Sequence, residues 1–226
     1  MTAAGDAATP YRHITRPIAA SAVLSLYGFA GSIGLIAAWT AGWYGNEHTP
    51  ARIAPLVLTL GGIVQLAAGM LAFRARQWVA AAVANLWASE HAAWALLYLL
   101  VGAGAVAAPG SPSPALGMWY LVLGGITSVA AVAALGTSLA STVTFAIASL
   151  GGLLSGLAEL WGIHWLAAPG SWLLVACAIG GWYTASGMLL HATTGRWILP
   201  VGQLQRTKRS PRLRGAEGEP GTKREL

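Results

Sequence analysis

Two side chains able to exchange a proton stand next to each other inside an apolar stretch, Glu90 and His91. Carboxyl and imidazole groups can be brought to trade protons near neutral pH once they leave bulk water. A charged carboxylate at the centre of a membrane-spanning helix costs roughly 2.5 to 3.5 kcal/mol. Glu90 is therefore expected to face a bundle interior or a wet path rather than lipid. Trp87, Glu90, His91 and Trp94 follow an i, i+3, i+4, i+7 spacing and share one helical stripe. Two readings of that stripe stand. Either it lines a conduction path in which Glu90 and His91 exchange protons or touch solute, or it is helix-packing core whose polar members pair with neighbours. Gln65 and Asn85 are further uncharged polar groups at depth, each as able to bond between helices as to line a path. Glu159 shares a stripe with Gly152, Ser155 and Gly156 near a span end, where it either reaches the headgroups or guards a mouth.

Other chemistry is not written here. His13, His48, His164 and His191 are scattered at span ends rather than clustered, and Asp6 is the single aspartate. The pattern offers no metal ligand set, no phosphate loop and no nucleophile with its base, so neither an enzyme, a metal site nor a cofactor is expected. Cys177, the one cysteine, has no partner in the chain and reads as a small packing residue.

The elements that must position Glu90 and His91 are membrane helices. Of 226 residues 56% are hydrophobic and 9% charged, against about 25% charged in a soluble domain. A bilayer core of about 30 Å needs about 20 helical residues. The apolar runs predict an all-α, polytopic fold with spans at Ile18–Thr40, Ile53–Phe73, Trp78–Val101, Leu116–Leu135, Leu139–Trp161 and Trp172–Ala192. Breakers separate them: Gly45 to Pro50, Arg74 to Gln77, and Pro109 to Pro114. Rows of small residues, Ser21, Ser25, Gly28 and Ser32 in the first span and Gly152 with Gly156 in the fifth, favour close helix packing, with a narrow polar path as the second reading.

Lysine and arginine concentrate in cytoplasmic loops. With both termini inside, twelve of the thirteen fall there, including Arg12, Arg16, Arg74, Arg76 and Arg196, and Arg52 alone lies outside. Trp39, Trp43, Tyr44, Trp119, Trp161, Trp165 and Trp172 then mark outer span ends, and Trp78 and Trp197 inner ones. Seven of the basic residues crowd into the last 24, a tail suited to anionic lipid rather than nucleic acid. Residues 1–17 and 203–226 are expected to be disordered flanks of a transmembrane domain at 18–202, in a multi-pass protein of the cell membrane. A cleaved signal peptide is the competing reading of the first span, whose apolar run is too long for one. The terminal Lys223-Arg224-Glu225-Leu226 is taken as a chance likeness to a retention address.

Two segments carry a family likeness. Gly61-Gly62-Ile63-Val64-Gln65-Leu66-Ala67-Ala68-Gly69 resembles the G-G-x-x-Q-x-x-A-G motif of the acetate uptake transporter family, the SatP or YaaH group. Gly195-Arg196-Trp197-Ile198-Leu199-Pro200-Val201-Gly202 resembles its closing G-R-x-x-L-P-x-G, and Gly136-Thr137-Ser138 its Gly-Thr turn between the fourth and fifth spans. The likeness covers about residues 14 to 203. It implies a six-helix protomer with its own pore, assembled as a homo-hexamer, passing acetate and related small monocarboxylates, or succinate, with protons. Some relatives have been connected to ammonium movement.

The departures bear on the site. The family opens with N-P-A-P-L-G-L, whereas this chain has Ile14-Thr15-Arg16-Pro17-Ile18-Ala19-Ala20. Without gaps, the family's Phe, Tyr and Leu constriction falls on Val23, Trp87 and Gly151, and Glu90-His91 replaces an apolar aromatic pair. The expected substrate path is therefore Val23, Gln65, Asn85, Trp87, Glu90, His91, Trp94 and Gly151. An ionised Glu90 would repel a carboxylate, so either it is protonated during transport or the substrate is not an anion. Besides a small organic anion moving with protons, two alternatives stay open: a conduit for ammonium or a small neutral amide, and a non-transporting scaffold or sensor.

Overall fold

The computed structural model describes residues 21–204. Outside them lie the start of the first span, the opening segment around Pro17, and all seven basic residues of the tail, with the lipid contact expected of it. Six long helices follow one another: α1 Ser21–Thr40, α2 Thr49–Arg74, α3 Trp78–Gly102, α4 Pro114–Ala134, α5 Leu139–Trp161 and α6 Ala167–Thr194. Among the described residues there is no strand, only an isolated bridge between Ser138 and Gln203. Five of the six are apolar and long enough to cross a membrane. The other, α3, has the length at 25 residues and falls short in hydropathy, because it carries Asn85, Glu90 and His91.

The spans read from hydropathy match these helices to within a few residues, with two differences. The last helix begins at Ala167, five residues before the expected Trp172, because Pro169 sits in its first turn, where a missing N–H costs nothing. The second span is not a uniform α-helix: Leu58–Val64 forms a π-helical stretch between two α-helical ones. Pro55, which donates no backbone hydrogen bond, lies just before it, and the Thr59 hydroxyl donates to the Pro55 and Leu56 carbonyls at 3.0 Å each. The π turn is wider than an α turn. Its inward residues, Gly61 and Gly62, keep that extra girth from holding neighbouring helices away.

The helices close a ring. α3 packs on α2, α2 on α1, α1 on α6, α6 on α5, and α5 on α4, which returns to α3 through a thinner contact. Small residues set the closeness of these seams. On α4 and α5, Gly117 and Gly156 face one another so tightly that a Cβ on Gly156 would sit 2.9 Å from the Gly117 carbonyl oxygen. Outside the ring the surface is apolar, with Ile63, Val129, Val132, Ile179 and Trp182 exposed, whereas Ser25, Ser32, Gln65, Glu90, His91, Thr127, Ser149 and Thr184 are buried. This polarity is inverted relative to a soluble protein and suits lipid on the outside.

The closing motif forms a strap. Gly195 ends α6 in the left-handed region (φ 72°), and Trp197 then stacks on His191 with ring centres 4.0 Å apart. The chain returns to the start of α5, where Leu139 N donates to the Gly202 carbonyl (2.7 Å) and Ala140 N to that of Val201 (3.0 Å). First-turn amides of a helix have no partner of their own, and the strap supplies one to each of these two. Leu204 N donates to the Thr137 carbonyl as well, so the pairing runs through Gln203 and Leu204, past the boundary expected at 202.

Gly156→Leu should force the α4–α5 seam apart and destabilise the protein by about 1 to 3 kcal/mol, the usual cost of overpacking. A thermal unfolding scan in detergent, read by intrinsic tryptophan fluorescence, checks this as a lowered Tm.

Candidate functional site

Two cavities enter the ring from opposite ends. One, of about 590 Å³, opens where α1 begins and α6 ends, and is lined by Ser25, Phe29, Gln65, Trp78, Ser141, His191 and Trp197 among others. The other, of about 540 Å³, opens on the Asn46–Glu47 and Pro109–Ser111 loops and is lined by Trp87, Glu90, Trp94, Tyr120, Leu123, Glu159 and Leu174 among others. They are called here the terminal-side and loop-side vestibules. No residue lines both.

Between them stands an apolar plug. Phe29 of α1 meets Trp87 of α3 edge to face, with ring centres 5.0 Å apart and planes at 77°, a favoured aromatic geometry. Ile33, Leu123, Ala148, Cys177 and Ala178 complete the buried cluster around the pair. Phe29 faces the terminal-side vestibule and Trp87 the loop-side one.

Beside the plug lies the polar pair. Glu90 and His91 are 3% and 0% exposed, which is why neither can be treated as a surface charge. Their nearest atoms, Glu90 Oε2 and His91 Nε2, are 3.6 Å apart, and both lack a hydrogen-bond partner. On its other side His91 Nδ1 is 3.0 Å from Gln65 Oε1. With the amide oxygen toward the ring, Nδ1 carries the proton and donates, leaving the Nε2 lone pair facing Glu90. The imidazole fits there because Gly61 has no side chain: a Cβ at Gly61 would lie 2.6 Å from His91 Cγ and Nδ1 and 2.5 Å from Ser32 Oγ.

The residues expected to share a path are divided by this arrangement. Trp87, Glu90 and Trp94 line the loop-side vestibule and Gln65 the terminal-side one. His91, one residue round the helix from Glu90, turns out of the stripe toward α1 and α2 and lines neither. Asn85 lines neither vestibule: its Nδ2 donates to the Ala81 carbonyl (2.8 Å), and its amide fills the space that Gly69 leaves on α2. Gly151 packs on Leu174, which itself forms part of the loop-side lining. Val23 is buried and lines neither vestibule, and the α1 aromatic against Trp87 is Phe29, six residues on. Neither Phe29 nor Leu174 has a sequence signal of its own: the row Ser21, Ser25, Gly28 and Ser32 marks a packed side of α1 without saying which apolar neighbour closes the lumen.

Glu159 lines the loop-side vestibule, where its carboxylate accepts from Ser113 N (2.7 Å) at the start of α4, a favourable place for negative charge. The first motif has an evident structural meaning. Gly61, Gly62, Gln65 and Gly69 meet His91, Ala92, His91 and Asn85 respectively, so the motif is the face of α2 on which α3 docks.

The sequence profile of the GPR1/FUN34/yaaH family matches residues 4–206. The chain belongs to that family. No curated protein matches it. Among solved structures it is similar to a bacterial acetate channel, SatP, at 22% sequence identity, with a TM-score of 0.75 over 82% of this chain and 99% of that one; at that identity the likeness establishes the fold. The family member described here has the fold of a multi-pass integral membrane protein.

Cys177 sits inside the plug cluster and is fully buried, so it reports on the seal. In the wild-type protein it should resist small water-soluble thiol reagents, and in Trp87→Ala it should react at least tenfold faster, as followed by mass spectrometry of the intact protein.

Proposed function

We propose that this protein is a conduit for a small monocarboxylate such as acetate, which enters the loop-side vestibule together with a proton and passes the Phe29–Trp87 plug. One observation carries the reading. At the floor of that vestibule, one turn apart on α3, stand an unpartnered donor, Trp87 Nε1–H, and an unpartnered carboxylate oxygen, Glu90 Oε2. A carboxyl group presents one acceptor and, when protonated, one donor. Its carbonyl oxygen suits the indole N–H, and its O–H suits Glu90.

Charge argues for the shared proton. All three acids among the described residues, Glu47, Glu90 and Glu159, line this vestibule, and no lysine or arginine does. Two like unit charges about 4 Å apart near a protein surface repel by about 4 kcal/mol, roughly a thousandfold in occupancy. Solute and Glu90 therefore hold one proton between them, and the acid is the transported form. Succinate, with two carboxyl groups, is the poorer fit to a single donor and acceptor. In this proposal the termini are cytoplasmic, as the basic residues suggest, and the protomers assemble as a homo-oligomeric ring with one conduit each.

The acid-only charge of the loop-side lining also favours a second reading, a small cation such as ammonium. It leaves the Trp87 N–H without a use. Uptake of labelled acetate into proteoliposomes, with ammonium as competitor, separates the two: the carboxylate reading expects acetate uptake that unlabelled acetate suppresses and ammonium does not.

The pH dependence has a fixed sign. At constant total acetate, uptake should rise as pH falls, because both the acid form of the solute and the proton-bearing Glu90 grow. Glu90→Gln keeps the size and removes the charge, so the ratio of uptake at pH 5 to that at pH 7.5 should fall at least threefold. An unchanged rate and pH profile in that variant would remove Glu90 from the account.

A further inference from the structure

We propose that Glu90, His91 and Gln65 form a proton relay that bypasses the aromatic plug, so that protons cross between the vestibules even when no solute does. The inference rests on the solute reading above only in sharing Glu90 with it. Glu90 belongs to the loop-side lining and Gln65 to the terminal-side lining, and His91 touches both while lining neither. These three residues thus connect the two vestibules by side chains, where the Phe29–Trp87 pair closes the direct route.

Two features distinguish this from ordinary packing. Buried polar atoms almost always find a partner, and exceptions ask for a reason. Here two orphans, Glu90 Oε2 and His91 Nε2, face one another at 3.6 Å, a gap slightly too wide for a hydrogen bond and small enough for rotation of either side chain to close. The second feature is the wall. His91 lies against the π-helical turn at Gly61, and its ring also sits 6.0 Å from both Phe29 and Trp87, centre to centre. With no side chain on Gly61, the imidazole occupies the space that a Cβ would fill, so its packing on this side depends on the glycine.

The proton balance closes without a co-reactant. A proton from loop-side water binds the Glu90 carboxylate. Rotation brings its O–H to His91 Nε2, the proton transfers, and Glu90 is again a carboxylate beside an imidazolium that bears both N–H groups. The imidazolium then turns against the Gly61 wall until Nε2–H reaches water of the terminal-side vestibule beside Gln65, and releases that proton there. The ring turns back with Nδ1 still protonated and again donating to the Gln65 amide oxygen, so the starting tautomer is restored. Gln65 acts as a positioning residue: its amide orients the ring and does not itself carry the proton.

The titratable groups that share the loop-side vestibule with Glu90 are Tyr98 of α3, Tyr120 of α4, Glu159 of α5 and Glu47 of the first loop. From α1 the neighbours are Phe29 and Ser32, from α2 Gly61 and Gln65, and from α6 Cys177 in the plug cluster. Among the described residues, Glu90 and His91 are the pair whose unpartnered atoms face each other, so the pH response of the relay is theirs.

The test uses the full-length protein in vesicles that contain a pH-sensitive dye and no carboxylic solute, with potassium and valinomycin clamping the potential. After an acid step outside, wild-type vesicles should acidify faster than protein-free ones. His91→Phe should lower that protein-dependent rate at least tenfold while labelled acetate uptake, measured separately, is retained. Glu90→Gln should lower it similarly, and Gln65→Leu should lower it less, since the carrier itself remains. Gly61→Ala should also slow it, and a melting scan on that variant tells a blocked ring from a misfolded helix pair. Wild-type vesicles no faster than protein-free ones, or His91→Phe vesicles as fast as wild type, would overturn the relay. Loss of acetate uptake in the wild type with proton flux intact would instead overturn the solute reading alone.

Discussion

The docking of α3 on the π-helical turn of α2 is the contact on which the site depends. It places a fully buried imidazole against Gly61 and within hydrogen-bonding distance of Gln65. By fixing the rotation of α3 it also sends Trp87 and Glu90 into the lumen. A residue larger than glycine at that turn would displace His91 and Ser32 together. π-helical turns are rare, and they are frequent at functional sites. Here the wider turn is what brings Gly61 and Gly62 to the inner face while Ile63 stays toward lipid.

From that contact the rest of the lumen follows. With Trp87 turned inward, Phe29 meets it edge to face and the ring of helices is sealed at one level. Above and below that level the helices diverge enough to leave two vestibules of similar size. The two differ in charge. The loop-side vestibule carries the acids, and the terminal-side one carries only uncharged polar groups and His191 beneath the Trp197 lid of the strap. From the loop side inward the lining thus runs from carboxylate to aromatic ring to a mostly apolar chamber.

The sequence made the frame legible and left the lumen obscure. Helix count and extent could be read from hydropathy because each span is long, apolar and bounded by glycine, proline or charge, as at Arg74 to Gln77. Glu90 and His91 were conspicuous because a buried charge is costly wherever the bundle places it. What could not be read was direction. On α1 the row Ser21, Ser25, Gly28 and Ser32 marks a packed side, yet it does not say which apolar neighbour closes the lumen, Phe29, or which faces lipid, Leu24. An ungapped correspondence placed that aromatic on Val23 instead. The same limit hid the division of the Trp87 stripe, because the side to which His91 turns is set by Gly61 and Gln65 on another helix. The motif glycines were visible as a pattern, and their meaning, a docking face for α3 and a cap for α5, appears only in three dimensions.

The proton that Glu90 and a carboxylic solute are proposed to share beside Trp87 can be read by infrared difference spectroscopy. Adding ¹³C-labelled acetate to the membrane-embedded protein should produce a change in a buried protonated-carboxyl band of the protein, distinct from the isotope-shifted solute band and absent in Glu90→Gln. No acetate-dependent carboxyl band, or the same protein band persisting in Glu90→Gln, would contradict the account.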